Sequence, residues 1–556
     1  MSATVTTLLP EAGISRATSE NRPLSEKASH AEIEVKLKAS PHDFAQILGV
    51  LDQIADVMSS THKGLLESRY FDTAQLGLMK KGLSLRVRMT EAGFIQTIKT
   101  VPQGLSGAFR RGEWESFTDS FSPDLGRFAA GDKVVGIGAF EPIFGTVFER
   151  TKCLVGFPKG ARDASKIELA LDEGYVHAKQ HVERICEVEL ELVDGDPAHL
   201  FALALKLHDA VPMRIGDESK SARGYRLAGA SERRGVKAGK LVFDEAVSLD
   251  EGIEGSFRAC LSQMLASQAA AYEGADPGGV HQMRVALRRF RAALSVFEAF
   301  IEKETAASFK EQARWIAGAL GPARDWDVFL SDILGPVEDA APEDLTPEHL
   351  TYGPLRGAAR KARQDGYRRV RSAIDSAAYT RFVLELAEWI ERARWREGAD
   401  SKQPAKLAGP LRVHADKFLD KRYRRVVKDG KKFEQLSRER KHRLRIALKK
   451  LRYAGDFFRS LYPKSSVKPF RRAMRDMLDE LGHLNDVTVA DRLTRELIAG
   501  APGGLERRKM IKARKALLSW HKAQGRVSDN ALNEHWKMFQ SAPVYWGGQL
   551  QHPTSE

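Results

Sequence analysis

The sequence predicts an α+β protein in which an N-terminal β-sheet domain is followed by a separate all-α domain. Up to about residue 227, short segments alternate charged and apolar side chains, which is the period of a β-strand. From about residue 250 the chain is rich in Ala, Leu, Arg and Lys with few β-branched stretches, which is typical of helices. The helical half also contains an internal repeat, which indicates a duplicated helical unit.

Length and composition narrow the class of protein. A chain of 556 residues with 42% hydrophobic content is expected to form two to four domains with ordinary cores. The net charge of +14 predicts a polyanionic partner, such as nucleic acid, an acidic lipid surface or polyphosphate, without choosing among them. The three cysteines contain no CxxC pair, which argues against a disulfide framework or a zinc site. A cytoplasmic location is therefore expected.

The pattern along the chain predicts five regions. Residues 1–29 are Ser/Thr/Glu-rich and lack the features of a secretory signal, so we expect a disordered lead-in. Because no run of 18 apolar residues occurs, no membrane span is expected. The remaining predicted regions are a strand-rich domain at 30–227, a Gly/Ala/Ser/Arg-rich linker at 228–249, a helical domain at 250–540 and a flexible tail at 541–556.

The strand-rich domain begins with one strand and one helix. Ser40 is a suitable N-cap and Pro41 suits the first helical position, so a helix is predicted from here into the mid-50s. Further strands are predicted near residues 65–72, 83–90, 94–100, 109–118, 147–155, 166–172 and 182–193.

The first strand is the most informative segment. In residues 32–38, Glu32, Glu34, Lys36 and Lys38 alternate with apolar residues and therefore share one face. Carboxylates can hold a hard cation, and ammonium groups can hold phosphate oxygens. This face suits a metal-bound polyanion, whereas a single strand of this kind could also be a solvated surface.

The charged pattern recurs on later strands, and this recurrence favours a functional interior. Basic residues alternate at Arg86 and Arg88, single basic residues occur at Lys99 and Arg150, and charged faces are formed by Arg111, Glu113 and Glu115, by Glu168 and Asp172, and by Glu187, Glu189 and Glu191. A sheet closed into a barrel would turn these faces inward, where they need water, metal and ligand to be stable. Clustered acids and bases fit the hydrolysis of a triphosphate, and the chain has no GxxxxGK[ST] phosphate loop.

These motifs together resemble the CYTH, or triphosphate tunnel metalloenzyme, family. The resemblance rests on Glu32-x-Glu34-x-Lys36 and on the ordered motifs beginning at Tyr70, Leu85, Phe148, Ile167, Glu187 and Ser219. It covers residues 30–227 and implies an eight-stranded antiparallel tunnel that hydrolyses triphosphate compounds with Mg²⁺ or Mn²⁺.

The resemblance also implies roles for individual residues. Glu32, Glu34 and Lys36 are expected to be catalytic, and the metal side is expected to comprise Glu32, Glu34, Asp172, Glu187 and Glu189. The residues expected to hold triphosphate are Lys36, Arg86, Arg88, Lys99, Arg111, Arg150 and Lys220. Three alternatives stay open: Glu191 for one of the other two glutamates of its strand, Arg110 for Arg111, and Glu168 in place of or beside Asp172.

The repeat in the helical half places two basic stripes on helices. The first comprises His281, Arg284, Arg288 and Arg291, and the second comprises His442, Arg445, Lys449 and Arg452. Each follows the spacing i, i+3, i+7, i+10, which is one face of a helix. In each copy a Leu-Gly pair follows, with its glycine 40 residues after the histidine. The segment 320–327 is interpreted as a helix end and restart.

The histidine-headed repeats resemble the CHAD family over residues 250–540, and this resemblance implies a helical module that binds polyphosphate. His281 and His442 could ligate a metal, but no second ligand is evident at ligand spacing, so phosphate contact is the preferred interpretation.

The expected function is therefore a hydrolase of phosphoric anhydrides that splits inorganic triphosphate, or a similar short triphosphate, into diphosphate and phosphate. The partners expected are inorganic triphosphate and polyphosphate, with the oligomeric state left open. One alternative is a triphosphatase for thiamine, nucleoside or RNA triphosphates, and another is a polyphosphate-binding or granule-associated scaffold with little turnover. Nucleic acid is disfavoured as a partner because only 8% of residues are aromatic and few lie in the basic stripes.

Overall fold

The computed structural model describes residues 32–100, 103–104, 109–127, 138–216, 218–340, 352–397 and 402–547. The predicted lead-in, residues 1–29, lies outside the described residues, as do residues 548–556 of the predicted tail. No helix in the described part of the chain is both long and apolar enough to cross a bilayer.

The N-terminal half is an antiparallel sheet with helices packed on it, as the alternation predicts. Its strands are β1 (Glu32–Lys38), β2 (Asp56–Val57), β3 (His62–Asp72), β4 (Leu83–Thr90), β5 (Gly93–Thr100), β6 (Gln103–Gly104), β7 (Phe109–Arg111), β8 (Glu113–Thr118), β9 (Glu141–Phe157), β10 (Ser165–Ala178), β11 (His181–Asp194) and β12 (Arg214–Ile215). Its helices are α1 (Pro41–Ile54), α2 (Gly77–Lys80), α3 (Pro197–Ala210) and α4 (Lys220–Leu227).

The sheet closes on itself through the segment that contains β7 and β8. The strands are paired in the order β7-β1-β11-β10-β9-β3-β4-β5-β8. Only Gly112 separates β7 from β8, and its carbonyl accepts a hydrogen bond from the Thr100 amide at 3.0 Å. If β7 and β8 are counted as one strand, eight strands form the ring and enclose a tunnel, in agreement with the predicted fold class. The short strands β2, β6 and β12 add to its edges.

The apolar face of β1 packs under two helices. The buried Val35 and Leu37 belong to one hydrophobic cluster with Ile47 of α1 and Phe201 of α3. Since successive side chains on a strand point to opposite faces, the charged residues of β1 face the tunnel. α1 begins at Pro41, and the amide of its N-cap Ser40 donates to the Asp43 carboxylate, so the predicted helix start is confirmed.

The C-terminal half is entirely helical in its described part, apart from connections. Its helices are α5 (Leu249–Glu273), α6 (Pro277–Val296), α7 (Lys303–Ala319), α8 (Gly321–Val328), α9 (Gly335–Asp339), α10 (Gly353–Ile374), α11 (Ala377–Glu391), α12 (Gln403–Ala408), α13 (Leu411–Asp429), α14 (Arg438–Phe458), α15 (Lys464–Ala499) and α16 (Leu505–Ser541). A π-helical turn, Phe329–Leu334, joins α8 to α9.

The duplication is visible in the order of the helices. α5 and α6 correspond to α13 and α14, and the run from α7 to α9 corresponds to the single long helix α15. α7 begins at Lys303 and α15 at Lys464, each 22 residues after the histidine of its copy. The predicted helix end and restart near residue 320 is the junction between α7 and α8.

Residues 231–244, within the predicted linker, have no regular secondary structure. They nevertheless contact the helical half, since the Gly235 amide donates to Asp276 at 2.7 Å. Within the predicted tail, Trp546 is buried and packs against Phe470, so the helical core extends at least this far.

Candidate active site and anion-binding cleft

The register of four neighbouring strands builds an acidic wall inside the tunnel. Lys36 on β1 lies opposite Glu189 on β11, and Asp172 on β10 lies opposite both Glu187 on β11 and Arg150 on β9. Side chains directly opposite one another on one face of a sheet are in contact distance. Residues separated by more than 150 positions in sequence therefore meet at one point.

Three of the predicted metal-binding carboxylates form a compact cluster. Asp172, Glu187 and Glu189 each offer an oxygen, and these oxygens lie within 4.8 Å of one another. Asp172 and Glu187 are almost fully buried. Clustered carboxylate oxygens are the donors that Mg²⁺ and Mn²⁺ prefer, so this group fits a divalent cation.

Basic side chains interlock with this carboxylate cluster. Lys220 Nζ donates to Asp172 at 2.6 Å, to Glu187, and to Glu189 at 2.9 Å. Arg150 forms a two-pronged pair with Asp172 at 2.7 and 2.6 Å and also reaches Glu189. Lys36 Nζ donates to Glu34 at 2.8 Å and to Glu189. Because an ammonium has three N–H groups, Lys220 uses all of its donors on carboxylates, whereas Lys36 uses two.

The charged partners keep the buried carboxylates ionised. Burial favours the neutral form of Glu189, but Lys220, Lys36 and Arg150 outweigh it and hold the pKa of this carboxyl well below its ordinary value. Burial also favours the neutral form of Asp172, but Lys220 and Arg150 outweigh it and lower the pKa of this carboxyl. Asp172 and Glu189 therefore stay ionised at neutral pH, each balanced by neighbouring cations.

Helix α4 carries Lys220 into the tunnel. Its N-cap is Ser219, whose side chain accepts a hydrogen bond from the Ala222 amide at 3.2 Å. One turn after Lys220, the buried Arg223 donates to Glu187 at 2.6 Å. A Cβ at Gly224 would lie 2.0 Å from the ring of Phe144, so only glycine permits this close packing.

The buried Asp72 fixes the opposite end of α4. Its carboxylate accepts hydrogen bonds from the amides of Thr73, Leu78 and Met79 and from the Tyr225 hydroxyl at 2.9 Å. Asp72 thus joins the end of β3, the short helix α2 and α4.

The other wall of the tunnel is basic. Arg86 lies near Glu113 and Glu115 at 3.9 and 3.8 Å, and Lys99 pairs with Glu113 at 2.9 Å. Arg88 donates to the Ser68 hydroxyl at 3.1 Å and has no carboxylate partner among the described residues. Burial, with Arg86 and Arg150 nearby, lowers the pKa of Arg88 to about 9.

An open cavity of about 370 Å³ lies beside this basic wall. Arg86, Arg88 and Arg150 line it, together with Lys152 and Glu115. The cavity therefore connects solvent to the cations that adjoin the carboxylate cluster. A small anion could enter here and contact several guanidinium groups at once.

The structure bears on the alternatives that the sequence left open. Glu168 pairs with Lys152 at 2.9 Å, and it lies outside the three-carboxylate cluster, as does Glu191. The side chains of Glu32, Arg110 and Arg111 lie outside the described residues. Arg223 is a further site residue that the sequence did not predict, although its position three residues after Lys220 places both on one helix face.

The second candidate site lies where the two basic stripes converge. Arg288 of α6 is among the charges that lower the pKa of Arg445 and of Lys449 on α14, so these side chains face one another across the helices. Burial, followed by Arg445 and Arg288, lowers the pKa of Lys449 to about 7. We call the surface formed by His281, Arg284, Arg288, Arg324, Arg445, Lys449 and Arg452 the basic cleft.

The basic cleft holds more basic than acidic side chains: the carboxylates that act on its members are Asp325, Asp332 and Asp486. Burial, then Arg324, Arg288 and Arg284, lowers the pKa of His281 to about 4. Within the described residues, His281 Nδ1, Arg445 Nε and Arg452 Nε are buried and have no hydrogen-bond partner. Buried polar atoms are normally satisfied, so these unpaired donors and acceptors indicate a site for a polar ligand.

Two predicted binding residues are exposed rather than partly buried, and one unpredicted residue joins the cleft. Arg291 and His442 are exposed, and burial followed by Arg314 of α7 lowers the pKa of Arg291. Arg324 on α8 acts on both His281 and Arg284. The sequence contained Arg324 beside the helix restart, but it gave no sign that this residue faces α6.

Comparisons with known proteins match the strand-rich half and the helical half to two different domain families. Residues 30–225 match the CYTH domain and residues 255–495 match the CHAD domain. The chain therefore contains a CYTH domain followed by a CHAD domain.

Curated relatives share part of this organisation. The chain is 32% identical over 203 residues to an inorganic triphosphatase of Haemophilus influenzae, which covers 35% of this chain and 54% of that protein. It is 27% identical over 333 residues to an uncharacterised protein of Mycobacterium tuberculosis, covering 57% of this chain and 58% of the relative. The chain thus spans a little more than half the length of the curated relatives it matches.

Solved structures resemble each half separately. A CHAD domain from the plant Ricinus communis is 27% identical and covers 58% of this chain and 100% of its own, with a TM-score of 0.48. A putative adenylyl cyclase from Hippeastrum, described as having a dominant triphosphatase activity, is 21% identical and covers 35% of this chain and 95% of its own, with a TM-score of 0.27.

Proposed function

We propose that the tunnel hydrolyses inorganic triphosphate, or a similarly short triphosphate, to diphosphate and phosphate. The observation that carries this proposal is the Asp172, Glu187 and Glu189 cluster interlocked with Lys36, Arg150 and Lys220, beside an open and basic cavity. Relatedness to an inorganic triphosphatase supports the same activity.

The residues of the basic wall would bind the substrate. Arg88, which lacks a carboxylate partner among the described residues, and Arg86 would clamp phosphate oxygens from the cavity side. Lys36 retains an N–H that is not committed to Glu34 or Glu189 and would donate it to a phosphate oxygen. Spreading the substrate's negative charge over fixed donors is the main contribution a protein makes to phosphoryl transfer.

The carboxylates would hold a divalent metal. Asp172, Glu187 and Glu189 are the residues suited to Mg²⁺ or Mn²⁺, which when bound neutralises phosphate charge and helps to orient water. In the overall reaction, a water oxygen bonds to the terminal phosphorus, a bridging P–O bond breaks, diphosphate leaves and a proton is released. Lys220 and Arg223 would keep the carboxylates in place, since both donate to Glu187.

A substrate panel tests the choice of substrate. Phosphate release would be compared for inorganic triphosphate, ATP, thiamine triphosphate and a 5′-triphosphorylated RNA at equal concentration and fixed metal. We expect inorganic triphosphate to have the highest kcat/KM, because the residues that line the described cavity include no Phe, Tyr or Trp on which a base could stack. A large preference for an organic triphosphate would contradict the proposal.

We also propose that the basic cleft binds polyphosphate. Its basic side chains come from α6, α8 and α14, and buried polar atoms of His281, Arg445 and Arg452 lack partners within the described chain. A linear anion could contact α6 and α14 at once, because Arg288 of α6 faces Arg445 and Lys449 of α14.

A pair of variants tests the cleft. Arg288→Ala should weaken polyphosphate binding by at least tenfold, whereas Arg291→Ala, an exposed cation on the same helix, should have an effect of less than twofold. Binding would be measured by calorimetry at constant salt, because electrostatic affinity depends on ionic strength. Equal losses in the two variants would show that binding depends on general positive charge rather than on the cleft.

A further inference from the structure

The helical domain reaches the tunnel strand that carries Lys36. Strand β12 pairs with the second half of β1, with Ile215 opposite Leu37 and Arg214 opposite Lys38. The Gly216 amide then donates to the Lys36 carbonyl at 2.7 Å. The backbone of Lys36 is therefore held directly by the segment from Arg214 to Gly216.

The contact between this segment and Lys36 is unusually close. A Cβ on Gly216 would lie 2.8 Å from the Lys36 Cβ and 2.9 Å from its carbonyl oxygen. Any displacement of β12 towards β1 would therefore push on Lys36, and any displacement away would break the hydrogen bond.

The outer edge of β12 is held by the helical domain. Adjacent residues on an antiparallel strand direct their backbone groups to opposite sides, so Ile215 points its N–H and C=O away from β1. The Ile215 amide donates to Thr380 Oγ1 on α11 at 3.1 Å, and its carbonyl accepts from Gln268 Nε2 on α5 at 3.5 Å. Thr380 and Gln268 are completely buried, and Tyr379 fixes Gln268 through a hydrogen bond at 2.7 Å.

Other contacts place these groups in one continuous interface. α3 packs its apolar side against α11 within a single hydrophobic cluster that includes Leu207 and Phe382. His208 Nε2 lies 3.0 Å from the Ala377 carbonyl, and Arg214 pairs with Asp375 at 2.5 Å. The two domains therefore share a core rather than meeting only through the linker.

We propose that Thr380, assisted by Gln268, is a positioning residue for Lys36 and acts through β12. This inference rests on the proposed function of Lys36 in triphosphate binding, although the structural link itself does not. The helical domain thereby contributes to the chemistry of the tunnel without contacting the substrate. Loss of the Thr380 hydroxyl leaves the buried Ile215 amide without its acceptor, which releases the outer edge of β12.

Thr380→Val tests the link, because valine has the shape of threonine without the hydroxyl. Hydrogen exchange would be followed in peptides covering β1 and β12 of the full-length protein, together with kcat and KM for triphosphate. We expect faster exchange in both strands and a fall in kcat/KM of about tenfold, because small misplacements of positioned groups are costly. Thr380→Ser, which keeps the hydroxyl, should restore both values.

Thr494→Val is the matched control. Thr494 is also completely buried in the helical domain, but its hydroxyl donates to Ala490 of its own helix. This variant should leave exchange in β1 and kcat/KM unchanged. If Thr380→Val does not fold, Gly216→Ala provides a second perturbation from the β12 side and should produce the same changes in β1.

The outcomes separate the positioning role from the proposed function. Wild-type exchange in β1 and wild-type kcat/KM in a folded Thr380→Val protein would overturn the inference, as would equal losses in the Thr494→Val control. If the wild type does not hydrolyse triphosphate, the exchange data decide the positioning role alone, and the proposed function fails separately.

Discussion

Replacing Glu189 with glutamine is the most informative perturbation of the tunnel, because this carboxylate accepts hydrogen bonds from three cations. Its partners are Lys36, Arg150 and Lys220. The substitution preserves shape but leaves one excess positive charge in a nearly buried network. Removing one partner of a buried ion pair costs about 3–5 kcal/mol. Because the glutamine oxygen can still accept a hydrogen bond from a cation, we expect a loss at the lower end of this range, about 3 kcal/mol of the free energy of unfolding.

The same change should reduce catalysis. Glu189 supplies one of the three clustered carboxylates, so its loss should weaken metal binding and lower kcat at least about 100-fold, which corresponds to about 2.7 kcal/mol. Stability would be measured by urea denaturation, metal affinity by calorimetry with Mn²⁺, and turnover by phosphate release at saturating metal.

Glu168→Gln is the control for this variant. Glu168 also lies on β10, but its ion-pair partner among the described residues is Lys152, and both side chains are partly exposed. Such pairs contribute about 0–1 kcal/mol, so turnover should change less than twofold. Wild-type turnover in Glu189→Gln at saturating metal, or an equal loss in Glu168→Gln, would refute the assignment of the carboxylate cluster.

Three further predictions concern other parts of the chain. Lys449 has a pKa of about 7, and a bound polyanion favours its charged form. Polyphosphate affinity measured by calorimetry should therefore fall by up to about tenfold per pH unit above pH 7. The dependence of affinity on pH should be weaker for Lys449→Arg, because arginine stays charged. Tyr225→Phe removes one of four hydrogen bonds to Asp72 and should cost about 1–2 kcal/mol in urea denaturation, and an unchanged midpoint would contradict this. Phe257→Ala leaves a cavity beside Trp389 and should cost about 3–5 kcal/mol, so a loss below 1 kcal/mol would show that the core can collapse around it.

The strands of the tunnel were predictable because their period is short and local. The alternation in β1 alone shows which side chains share a face. In the structure, the charged face of β1, which includes Lys36, points into the tunnel. The partners of that face were not predictable in the same way. The pairing of Lys36 with Glu189 depends on a register between strands far apart in sequence, and register is fixed by the whole sheet.

The helices α3 and α4 show where the sequence analysis was incomplete. The strand-rich region contains Asp196 followed by Pro197, and Ser219 followed by Lys220, both of which are signals for a helix start. These helices connect the tunnel to its surroundings, since α3 packs on the helical domain and α4 carries Lys220 to the carboxylates.

The basic stripes illustrate a similar limit in the helical domain. Helical spacing predicts that the four members of each stripe share a face, but it does not show how α6 and α14 cross. Arg288 acts on Lys449 across the two helices, whereas Arg291 and His442 are exposed. The contribution of Arg324 depends on how α8 packs against α6, which the repeat alone does not encode.

The central claim is that the tunnel is a metal-dependent triphosphatase. It is tested most directly by phosphate release from inorganic triphosphate by the full-length protein with Mg²⁺, with Mn²⁺ or with a chelator. We expect rapid phosphate release with metal and none with the chelator. If no metal supports release although the protein still binds polyphosphate, the claim is contradicted and a polyphosphate-binding scaffold becomes the better description.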